Sequence, residues 1–196
     1  MKKLYALFLS LVMMFAFAST AMAADTATLK VVINGDVVAE NVAVNVGESV
    51  YDAVDRWAKA PENNYAIEWT GTTDDGLILK SLDGNGSLPY IPKDLEEYEY
   101  YDSSIDDPAL ARVNAALLAK YPDSDGLGLW MGNGMGCSND GPYMAYVGYD
   151  WTFTVNGSRP VDPNNTSLEL YMNQTTIAAG DSIVLNYGET IEVWEY

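Results

Sequence analysis

Leu29-Lys30-Val31-Val32-Ile33-Asn34-Gly35-Asp36-Val37-Val38 is the stretch that decides the fold. Leu29, Val31 and Ile33 stand at every second position, the period of a strand with one buried face. Asn34-Gly35 follows. Both residues tolerate positive φ, so the chain is expected to turn back in a tight hairpin. Val42, Val44 and Val46 continue the period of two on the return strand, with Asn41 and Asn45 between apolar residues. The hairpin is expected over Thr28–Val46. Directly after it, Ser49 is placed to cap a helix, and Asp52 three residues on makes a capping-box-like pair. Val50, Ala53, Val54 and Trp57 then share one helical face, a stripe that reads as core.

Further strands are expected at Tyr65–Trp69 and Leu77–Leu82. From Asp83 to about Tyr149 the pattern breaks into a segment rich in Gly, Asp, Pro and Tyr. One helix is expected inside it: Asp107 caps, Pro108 suits the first turn, and Leu110, Val113 and Leu117 form an apolar face. Tyr121-Pro122 ends it. The glycine-rich stretch Gly126–Gly148 reads as an ordered surface loop. Strand signals return with Trp151, Phe153 and Val155, followed by a second Asn-Gly turn at Asn156-Gly157. Leu168–Met172, Ile183–Tyr187 and Ile191–Trp194 are expected as short strands. Late strands must pair with early ones to bury the helix stripe against one sheet.

Composition narrows the function. The 196 residues include 10 Lys and Arg, 28 Asp and Glu, one Cys and no His. Without histidine, Ser-His-Asp and Cys-His catalysis cannot be built from this chain. A lone Cys supplies neither an intrachain disulfide nor a four-thiolate zinc site. A formal charge of −18 argues against a nucleic-acid partner. Met1–Ala23 has the layout of a secretory signal: Lys2 and Lys3, an apolar run from Leu4 to about Ala18, and Ala21-Met22-Ala23 before the cut. Cleavage would remove those two lysines and no acid, taking the charge from −18 to −20. No second long apolar run follows, so the expectation is a secreted or extracytoplasmic chain, at the cell surface, with no transmembrane segment once processed.

Five blocks, in this order, resemble the transcobalamin C-terminal-like β-grasp family, a bacterial family of exported domains. They are Leu29–Gly35; Gly47-Glu48-Ser49-Val50-Tyr51-Asp52-Ala53-Val54; Leu79-Lys80-Ser81-Leu82-Asp83-Gly84; Trp151-Thr152-Phe153-Thr154-Val155-Asn156-Gly157; and Ala179–Tyr187. The resemblance implies an α+β fold of the β-grasp type, a mixed sheet packed on one helix. Residues 24–196 would form a single domain with an insertion at about 88–147. It also implies a non-catalytic binding module with cobalamin or a related tetrapyrrole as its small-molecule ligand. The residues themselves assign no cofactor and no oligomeric state. A cell-surface adhesion module that binds an envelope protein or glycan is the alternative.

Candidate ligand contacts are Trp130, Tyr143, Tyr146, Tyr149 and Trp151, on which a corrin or other flat ring would lie. Each also reads as a core or loop-bracing ring. In Trp130-Met131-Gly132-Asn133-Gly134-Met135-Gly136-Cys137, two methionines and a thiol suit a soft metal such as Cu(I); the other reading is a glycine loop with an inert Cys. Asp83-Gly84-Asn85-Gly86-Ser87 starts like a calcium loop, but Leu88 takes the sixth position, where the turn needs Gly. Acidic pairs are too abundant to single out a hydrolase.

Overall fold

The computed structural model describes residues 26–95, 97–139 and 141–196. The leader expected at Met1–Ala23 lies outside them. The elements in chain order are β1 (Ala27–Ile33), β2 (Asp36–Val44), α1 (Val50–Lys59), β3 (Ile67–Thr72), β4 (Gly76–Leu82), β5 (Asn85–Gly86), β6 (Leu88–Pro89), β7 (Glu99–Tyr100), α2 (Pro108–Lys120), β8 (Leu127–Gly132), β9 (Met135–Ser138), β10 (Tyr143–Val155), β11 (Val161–Asp162), β12 (Asn165–Glu169) and β13 (Ser182–Glu195). With 49% strand, and two helices among the described residues, the class is α+β. Among the described residues, no helix is long and apolar enough to cross a membrane. The chain divides into two compact units, one of residues up to Gly84 with Thr152–Asn186, the other of Asn85–Trp151 with Tyr187–Tyr196.

The first unit is built on the expected hairpin. β1 and β2 pair antiparallel from Ala27↔Val44 to Ile33↔Asp36, and Asn34 and Gly35 turn at φ 52° and 89°. Within this unit the strand order is β2-β1-β13-β10. The Gly180 N–H donates to the Thr26 carbonyl (3.1 Å) and the Thr28 N–H to the Asp181 carbonyl (2.9 Å). Both chains advance together across these bonds, so first and last strands meet side by side in the same direction. Ser49 caps α1 as expected: its hydroxyl oxygen accepts from the Asp52 N–H (3.1 Å) and its O–H donates to the Asp52 carboxylate (2.7 Å). Val50, Ala53, Val54, Trp57 and Ala58 are buried on the helix, and Leu29, Val31, Ile183 and Leu185 on the strands. Each buried Val, Leu and Ile among them contributes roughly 1.5–3 kcal/mol by leaving water.

The second unit has the order β13-β10-β9-β8-β7, with β6 added to β10 at Pro89↔Gly148 and Leu88↔Tyr149. Asp107 caps α2, accepting from the N–H groups of Ala109 (2.9 Å) and Leu110 (3.3 Å). Leu110 and Val113 of that helix close a core with Leu95, Leu127, Trp130, Ala145 and Val147. Trp130 pairs across from Gly136, and Gly136 across from Ala145. Those two small residues leave the room that the indole fills. A Cβ on Gly136 would stand 2.5 Å from Leu127 Cδ1 and 3.5 Å from Trp130 Cε3.

Two expectations need correction here. Gly126–Gly148 is not a loop but β8, β9 and the first part of β10. Its turn, Asn133-Gly134 at φ 50° and 76°, is a third Asn-Gly hairpin. The expected strands Ile183–Tyr187 and Ile191–Trp194 are one strand, β13, which continues through Gly188. In addition, Asp83-Gly84, which starts like a calcium loop, turns at φ 49° and 83°, the backbone of a tight turn.

Candidate functional site

The five aromatic candidates lie in the second unit, where the pleat divides them. Trp130 is 1% exposed, with the Tyr90 ring edge-on at 6.4 Å. It offers no face to a ligand. Tyr143 stacks on Tyr121, centroids 4.5 Å apart. Tyr146 is out of step with buried Ala145 and Val147 on β10, so it leaves the sheet on the other side. Its hydroxyl donates to Asp150 (2.7 Å) by passing over Gly148, where a Cβ would fall 2.2 Å from that oxygen.

Tyr149 and Trp151 are brought together, and with them Tyr187, which was not expected. Trp151 and Tyr187 centroids are 5.1 Å apart, and Tyr149 and Tyr187 are 6.3 Å apart. The polar tips of the inner two are satisfied internally. The Trp151 indole N–H donates to the Asn85 carbonyl (2.7 Å) and the Tyr187 O–H to the Gly86 carbonyl (2.8 Å). Trp151 is 7% exposed and Tyr149 37%. The set therefore has two locked rings and one open one. Tyr187 stood in the last resemblance block, but only the strand register shows that it adjoins Trp151.

Charged groups surround the same end of the unit. The Tyr90 hydroxyl donates to Asp107, the α2 cap. Burial, then that carboxylate, raises the Tyr90 pKa. For Asp107 burial acts upward, but the Tyr90 O–H and the N–H groups of Leu110 and Ala109 outweigh it and hold the carboxyl below its usual value. Arg112 pairs with Glu189 through Nη2 and Nε. Tyr146 and Tyr187 are pushed up first by burial, with Asp150 adding to both. These phenols stay protonated at neutral pH and act as donors.

On the opposite face of this sheet the neighbours are different. Met144 pairs directly with Cys137, Cys137 with Leu129, and Tyr146 with Met135. Met135 and Cys137 alternate with buried Gly136 and Ser138, so their side chains leave on the side away from α2. Cys137 is half-buried, and burial followed by Asp125 raises its thiol pKa. Among the described residues, no three Cys, Asp or Glu side chains are grouped to hold a metal ion. The donors clustered on this face are thioethers and one thiol.

Comparison with models of protein families, with characterised proteins and with solved structures finds no match to this chain.

Proposed function

We propose that this chain is an exported, non-catalytic binding module of the β-grasp type, taking a flat tetrapyrrole such as cobalamin against the Tyr149 edge of its second unit. The β-grasp part of the reading is supported by the first unit. A hairpin leads into one helix, and the first strand lies between its hairpin partner and the last strand, parallel to the latter. The ligand part is carried by one observation: Trp151 and Tyr187 are fixed by backbone carbonyls at their polar tips beside an exposed Tyr149. A platform already rigid loses little side-chain freedom when a ring lies on it. Trp130 has no part in it, being enclosed in the core, and Tyr146 faces the other way.

Calorimetric titration with cyanocobalamin tests the reading. Saturable binding that Tyr149→Ala abolishes is expected; no binding by the unmodified protein rejects it. Export is tested separately, by the mass of the secreted chain, expected to begin at Ala24.

The second reading, an interaction module for an envelope protein, is favoured by β2. This strand ends the sheet order, and Val37 and Val38 are 50% and 42% exposed. Such an edge can accept a strand from a partner. Val38→Pro would then abolish binding of the partner and leave cyanocobalamin binding unchanged.

A further inference from the structure

We propose that Met135, Cys137 and Met144 form a binding site for Cu(I), with three sulfur donors on the sheet face of the second unit that α2 leaves uncovered. The register brings them together. Met144 and Cys137 are direct cross-strand partners on β10 and β9, and opposed Cβ atoms stand about 4.5–5.5 Å apart. Met135 lies two residues before Cys137 on the same side of β9, roughly 6.5 Å along the strand. Two thioethers on flexible three-bond arms can swing to a point above the thiol between them.

The distribution of sulfur supports the assignment. The described residues contain four methionines: 131, 135, 144 and 172. Three of them lie in the strands around the chain's one cysteine. Met131 occupies the register shift between Trp130 and Gly132, next to Gly132, which pairs with Met135. The fourth, Met172, is buried in the first unit. Strand faces ordinarily take β-branched and aromatic side chains; here Met135, Cys137 and Met144 stand in their place. Thioether and thiolate are soft donors that select Cu(I) over hard cations. Tyr146 stands opposite Met135, held toward Asp150, and forms one wall of the site.

Binding forms three S–Cu bonds and releases the Cys137 thiol proton to solvent, with no change of oxidation state. The site shares no donor with the Tyr149 platform, so either can fail without the other.

A competition titration tests it. Cu(I) is supplied anaerobically as its coloured bathocuproine disulfonate complex, and loss of colour measures transfer to the protein. The unmodified protein is expected to take up one equivalent. Losing a ligand should cost at least what losing an outer-shell partner does, about 10–100-fold in affinity. Cys137→Ser and Met144→Leu should each weaken uptake by that much, and Met172→Leu should not change it. Met144→Leu nearly conserves volume, and thermal melting of each variant separates lost donors from lost fold. No uptake by the unmodified protein, or equal uptake by folded Cys137→Ser/Met144→Leu, overturns the proposal.

Discussion

Each unit has a sheet with one face buried beside a helix, and the two units differ in what the other face carries. In the first, Thr28, Lys30, Val32, Thr152, Thr154, Ser182, Val184 and Asn186 alternate with the more buried residues, and Lys30 pairs with Glu40 across the hairpin (2.9 Å). That face is largely polar, with two valines. In the second, the corresponding positions include the half-buried Leu129, Met135, Cys137, Met144, Tyr146 and Trp194, together with Asp150, Thr190 and Glu192. Packing explains a covered face in both units. The two open faces differ in that sulfur, from Met135, Cys137 and Met144, stands only on the second. On the ligand reading proposed above, the second unit carries the binding chemistry and the first serves as its scaffold.

The largest expected effect comes from removing the ring that builds the second core. Trp130→Ala should cost about 3–5 kcal/mol, and hydrogen exchange should show faster opening of β8, β9 and α2. If exchange in α1 and β1 accelerates equally, the units are not separately stabilised and the comparison fails. Cap removal is next. Ser49→Ala should cost about 1 kcal/mol. Asp107→Ala should cost about 2 kcal/mol, because it also strips the Tyr90 hydroxyl of its acceptor. Equal losses in chemical denaturation would show that the Tyr90 bond adds nothing.

The pH dependence follows the same pair. The Asp107 carboxyl titrates below its usual value in the folded chain. Its contribution is therefore complete above the unfolded value, near 3.8, and is lost as pH falls through the lower folded one. Melting temperature measured from pH 7 to pH 2 should fall less steeply below pH 4 for Asp107→Asn, which keeps a capping oxygen without the charge. The smallest effect belongs to the first unit's open face. Lys30→Ala should change stability by about 1 kcal/mol at most, as exposed ion pairs do.

The first unit was legible because its signals are local. Leu29, Val31 and Ile33 alternate, Asn34-Gly35 turns, and Ser49 and Asp52 start a helix. Each needs only neighbours in sequence. The second unit was obscured by glycines that serve packing. Gly136 clears space for Trp130, and Gly148 for the Tyr146 hydroxyl, yet in sequence they interrupt the alternation that marks a strand. Asn133-Gly134 carried the same turn signal as Asn34-Gly35, and the density of surrounding glycine hid it. Reading Gly126–Gly148 as a loop also concealed the site. On a strand, parity alone separates Tyr146 from Tyr149 and Trp151. The nearness of Tyr187 to Trp151, and of Met144 to Cys137, depends on register between distant segments, which no local pattern encodes.

The contrast between the two faces can be read in one spectrum. Among the described residues, Met131, Met135 and Met144 lie in the sulfur-rich unit and Met172 in the other. With methionine methyl groups labelled with carbon-13, Ag(I), a redox-inert stand-in for Cu(I), is added to one equivalent. The Met135 and Met144 methyl resonances should shift to saturation together while Met172 stays in place. Unmoved Met135 and Met144 resonances, or a Met172 shift as large as theirs, would contradict the assignment of soft-metal chemistry to the second unit's open face.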